Sequence, residues 1–88
     1  MELGGNISLE GFDELEPGTL IVVKKMVGNY AKSIAEKAEF EKLELTLKEE
    51  EKKYKIEVKL ISKGKEKKEE AEDENMFFAI DKALGKFK

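Results

Sequence analysis

A chain of 88 residues that is 40% hydrophobic and 42% charged has room for one core, and it folds only if each element turns its charge to one side. It contains no cysteine and no histidine, which excludes disulfides, the usual zinc sites, thiol chemistry and the commonest general base. All 17 basic residues are lysine and 20 acidic residues outnumber them, for a net charge of −3, so any contact with nucleic acid must come from lysines gathered locally.

No stretch approaches the roughly 20 apolar residues of a membrane span, and the N-terminus lacks the order of a signal peptide. The expectation is a single cytoplasmic domain over residues 1–88. The abundance of Lys and Glu, without Cys, Trp or His, also matches the composition of hyperthermophile proteins.

Residues 6–12 (NISLEGF) read as a short strand with Ile7 and Leu9 on one face and Gly11 extending the set. The acidic link DELEPG then leads to a helix start. Pro17 suits a first helical turn, where the amide it lacks would have no partner, and Thr19 is the alternative cap. Over residues 20–37 the positions Leu20, Val23, Val27, Tyr30 or Ala31, and Ile34 follow helical spacing. The run TLIVVK taken alone also fits a strand, but the spacing continues without a break to Ile34. Gly28 costs such a helix about 1 kcal/mol relative to alanine. Either it is simply tolerated, or Gly28, Ala31 and Ala35 form a small-residue stripe that admits another backbone.

The clearest pattern lies in residues 40–61 (FEKLELTLKEEEKKYKIEVKLI). Leu43, Leu45 and Leu47 alternate with polar residues, then Tyr54, Ile56, Val58 and Leu60 do the same across a charged turn. This predicts a β-hairpin with one buried and one wet face. Residues 62–73 turn at Gly64 and then carry almost no apolar side chain, as expected of a solvated edge strand or of a loop. Asp73 is the expected cap of a last helix over residues 74–87, with Phe77, Ile80, Leu84 and Phe87 inward and Met76 and Ala83 in support. The sum is an α+β two-layer sandwich of order β-α-β-β-β-α, a mixed four-stranded sheet with two helices on one face.

No catalytic or cofactor pattern emerges. Ser8, Ser33 and Ser62 have no histidine to activate them, and no lysine stands out as a base. The carboxylates cluster at Asp13, Glu14 and Glu16, at Glu49, Glu50 and Glu51, and from Glu69 to Glu74, without an EF-hand spacing. Gly4-Gly5 lacks the rest of a phosphate loop. A non-enzymatic chain without cofactor, metal or small-molecule substrate is therefore expected. Ile21, Val22, Met26 and Phe78 fall off the inner helical faces and predict an exposed apolar patch for a partner or a second copy of the chain.

The segment EDENMFFAIDKALGKFK, following KLISKGKEKKEEA, resembles the end of the ribosome hibernation-promoting factor and ribosome-associated inhibitor family (the sigma-54 modulation family). The residues that carry the resemblance are Glu74, Met76, Phe77, Ala79, Ile80, Asp81 and Lys82, and the order of elements is also similar. The resemblance implies a non-enzymatic translation regulator that binds RNA of the small ribosomal subunit through basic side chains on its helices. The positions that would serve are Lys24, Lys25 and Lys32 on the first helix, and Lys82, Lys86 and Lys88 on the last. The chain departs from that family in having no arginine and a net acidic charge. The alternative expectation is a protein-interaction or homodimeric α+β domain that does not bind RNA.

Overall fold

Alternation of period two builds the centre of the molecule. The computed structural model, which describes residues 2–3, 6–37 and 39–87, contains β1 (Glu2–Leu3), β2 (Ile7–Glu10), α1 (Pro17–Lys37), β3 (Lys42–Glu50), β4 (Lys53–Ser62), β5 (Lys65–Asp73) and α2 (Met76–Gly85). Gly4, Gly5 and Lys88 lie outside the described residues. β3 and β4 pair antiparallel with Leu43 opposite Leu60, Leu45 opposite Val58 and Leu47 opposite Ile56, and all six side chains are buried. β2 joins β3 in parallel, with Leu9 beside Leu45, because α1 carries the chain back between them. β5 pairs antiparallel with β4. The expected mixed sheet of four strands is thus β2–β5, and β1 adds two residues at the β2 edge.

Both helices cover the apolar face. Val23, Val27, Ala31 and Ile34 of α1 and Met76, Ala79, Ile80, Ala83 and Leu84 of α2 join the leucines of the sheet in one cluster of buried side chains. The β4–β5 connection is a two-residue turn in which both Lys63 (φ 52°) and Gly64 (φ 76°) are left-handed, as a tight hairpin requires. The charged stretch after it is a strand rather than a loop.

Several local expectations shift. α1 begins at Pro17, three residues earlier than the apolar spacing marks, since proline is preorganised for the first turn; this leaves no strand in TLIVVK. Asn75, not Asp73, caps α2: its Oδ1 accepts from the backbone N–H of Phe77 at 2.9 Å and of Phe78 at 3.3 Å. α2 therefore begins at Met76 and ends before Phe87. Gly28 and Ala35 are exposed, and a Cβ at Gly28 would meet nothing within 4 Å, so no backbone uses that stripe among the described residues.

The largest side chain missed from the sequence is Phe12, which is fully buried. It reaches the core because Gly11 takes φ +81°, and a Cβ there would collide with the Leu47 carbonyl oxygen. The chain leaves β2, turns at Gly11 and drops Phe12 under the sheet. Two substitutions should move stability in opposite directions in urea denaturation. Phe12→Ala should cost about 3–5 kcal/mol, a large share of the total for a domain of this size. Gly28→Ala should add up to about 1 kcal/mol.

Candidate nucleic-acid interface

The two faces of the molecule treat their lysines differently. On the open side of the sheet the alternation that buries leucines also sets lysine against glutamate across strands. Lys59 pairs with Glu66 at 3.0 Å and with Glu44 at 3.9 Å, Lys42 with Glu44 at 3.2 Å, Lys48 with Glu57 at 3.3 Å, and Lys55 with Glu70 at 3.5 Å and Glu57 at 3.9 Å. The Glu70 carboxylate beside Lys55, and the Glu66 carboxylate hydrogen-bonded to Lys59, raise both ammonium pKa values. A depression of about 640 Å³ on this side is lined by Glu44, Thr46, Glu57, Lys59, Lys68 and Glu70 among others. It holds both signs of charge, so it presents little field to an anion.

The helical side has fewer acids. α1 bears Lys24, Lys25, Lys32 and Lys37 against the single acid Glu36. Lys25 and Lys32 are exposed, Lys24 is half-buried, and among the described residues none of the three has a salt bridge. Lys25 and Lys32 are seven residues apart, so they share the outermost stripe of the helix with Ile21 and Gly28.

The lysines of α2 are engaged. The Lys82 ammonium donates to Asp73 Oδ2 at 2.6 Å, and Lys86 Nζ donates to the Glu70 backbone carbonyl at 2.6 Å. Asp73 also accepts from the Asn75 N–H at 2.9 Å, so the carboxylate ties the end of β5 to the start of α2. The Lys82 hydrogen bond, then that of Asn75, hold the Asp73 carboxyl below its usual range. Lys88 lies outside the described residues.

The apolar candidates divide as well. Phe78, Ile21 and Val22 are exposed at 60%, 56% and 44%. Met26, expected beside them, is half-buried and packs on the core, because its unbranched side chain can fold over the edge of the helix. It lies on one stripe with Val22 and Tyr30, and the Tyr30 hydroxyl donates to Asp81 Oδ1 of α2. That bond raises the Tyr30 pKa. The sequence did not reveal the Tyr30–Asp81 and Lys82–Asp73 partnerships, since neither pair follows a local spacing.

The N-terminal domain of Protein Y from Thermus thermophilus superposes with a TM-score of 0.71 at 18% identity, over 91% of this chain and 86% of that one. The chain shares its fold. A ribosomal subunit interface protein from Coxiella burnetii superposes with a TM-score of 0.64 at 11% identity, over 93% of this chain and 88% of that one. No protein-family model matches the sequence, and no curated protein does. Among the described residues no helix is long and apolar enough to cross a membrane, and no group of three or more Asp or Glu is placed to hold a metal ion.

Because its pKa is lowered in the folded state, Asp73 contributes stability above the ordinary aspartate value, and the contribution is lost as pH falls through the lowered value. Asp73→Asn should therefore melt below the parent at neutral pH, and the difference should shrink as the pH drops below about 3.9. Thermal melts across that range test this; a gap independent of pH would refute the assignment.

Proposed function

We propose that this chain is a non-catalytic, cytoplasmic translation regulator that associates with RNA of the small ribosomal subunit through the outer face of α1. One observation carries the proposal: in a chain of net charge −3, α1 concentrates four lysines against one glutamate, and Lys24, Lys25 and Lys32 are left outside the ion-pair ladders. Support comes from the fold shared with a protein named for the ribosomal subunit interface and from the resemblance of the C-terminal segment.

Lysine ammoniums at this spacing suit phosphate oxygens as point charges. They hold a sugar–phosphate backbone without reading its bases, so base specificity is not expected from them. The engaged Lys82 and Lys86 add less, since a phosphate must first displace Asp73 or the Glu70 carbonyl.

A second reading rests on Ile21, Val22 and Phe78, three large apolar side chains exposed on the same helical layer. It makes the chain a homodimer or protein-interaction domain that does not bind RNA. Co-sedimentation with purified small subunits separates the two. Binding that disappears between low and moderate salt supports the RNA reading, because counterion release makes log affinity fall by roughly 0.7–0.9 per phosphate contact for each decade of salt. The Lys25→Glu, Lys32→Glu double variant should abolish co-sedimentation without lowering the melting temperature, as both side chains are exposed. A protein that dimerises and never co-sediments, even at low salt, supports the second reading.

A further inference from the structure

We infer that Gly28 is the point at which the sugar–phosphate backbone of the bound RNA touches α1, with Lys25 and Lys32 on either side taking its phosphates; the inference rests on the RNA reading above. Nothing inside the fold accounts for a glycine at this position. Gly28 stands in the middle of a 21-residue helix, has no left-handed φ, and a Cβ built on it meets nothing within 4 Å. A glycine in a helix interior costs about 1 kcal/mol relative to alanine. Gly18 and Gly85 are equally open, but they lie in the first turn of α1 and at the last residue of α2, where they do not interrupt a helix interior. Among the described residues, Gly28 is thus the glycine that weakens a helix without serving a turn or a contact inside the chain.

Its neighbours on the outer face of α1 are charged and polar. Lys25 comes three residues before it, Asn29 follows it and Lys32 comes four residues after it, so two turns of helix carry a lysine at each end and bare backbone between. All four residues are exposed, and neither lysine has a salt bridge among the described residues. The lysines are about 10.5 Å apart along the axis, several times the roughly 3.4 Å rise per phosphate of a stacked strand, so they serve different phosphates. Toward the N-terminus the face passes through Ile21 to the exposed Glu16, and toward the C-terminus it meets Glu36 one turn beyond Lys32. Its positive stretch is therefore limited to these two turns.

Bare backbone between two side chains can admit another helix or a polar chain, and charge decides between them. A second copy of α1 packed antiparallel about Gly28 brings Lys25 of one copy near Lys32 of the other, and a parallel copy in register sets each lysine against itself. Either arrangement puts like charges at the contact, where they oppose it. A sugar–phosphate backbone reverses the sign. Its phosphates are drawn to both ammoniums, and the ribose between them comes down where no Cβ holds it off, as glycine allows wherever a backbone must approach a ligand closely. The Asn29 side-chain amide lies beside the same sugar as both donor and acceptor.

The test titrates the parent and three variants with purified small ribosomal subunits across a range of salt, and with protein-free RNA from the same subunits. Gly28→Leu, which places a side chain between the lysines, should weaken binding to both by about ten-fold, and Gly28→Ala by about three-fold. Both should keep the parent's salt slope, since the lysines remain, and both should melt above the parent, since leucine and alanine are better helix formers. Ala35→Leu, at an exposed position outside the lysine pair, should bind as the parent does. A purely structural glycine does not produce a higher melting temperature together with a lower affinity. If Gly28→Leu binds as the parent does, or converts a dimer to a monomer, the close approach is overturned while the lysine interface stands. A loss seen with subunits and absent with the free RNA assigns the contact to a ribosomal protein and also overturns it. If the parent binds neither subunits nor RNA, both readings fall.

Discussion

The interdigitation of one sheet face with two helices is the constraint on which the rest of this molecule depends. Leu43, Leu45 and Leu47 of β3 and Ile56, Val58 and Leu60 of β4 are buried together, and a slip of one residue by either strand would send its three apolar side chains to solvent and its lysines and glutamates inward. Charged residues make up 42% of the chain, so a register shifted by an odd number of residues is not tolerable. The high charge content is thus a specificity device as much as a solubility one.

The same alternation decides where positive charge can be used. Lysines on the open sheet face are opposite or diagonal to glutamates, and the pairs cancel at close range. Ion pairs exposed in this way contribute little stability, on the order of 0–1 kcal/mol each; their larger effect is to remove net field from that side. α1 has no such partner strand. Lys25, Lys32 and Lys37 are exposed and Glu36 is the only acid on the helix, which leaves a net acidic protein with a local excess of positive charge on α1.

How much of this was readable depended on whether the governing force was local. The hairpin, both helices and the edge strand could be read because burial on one face imposes a period of two or 3.6 over many residues. β1 could not, since two residues show no period. Phe12 was hidden because the left-handed turn at Gly11 resets the alternation just before it. The cap of α2 was misplaced by two residues because Asp73 and Asn75 are both good acceptors, and only the geometry shows that the first supports the second. At the candidate interface, sequence named the lysines but not their state: that Lys82 and Lys86 are held by β5, while those of α1 are not, follows from tertiary placement alone.

The hold of Lys86 on the Glu70 carbonyl reaches beyond the interface. β5 is the border of the sheet on that flank, and in its sequence KEKKEEAED the parallel in-register self-alignment sets every charge against its like. With one of its carbonyls occupied by an ammonium, that point of the border is less open to a further strand. The flank that could most easily template a neighbouring chain therefore carries both its own charges and a tether from the last helix.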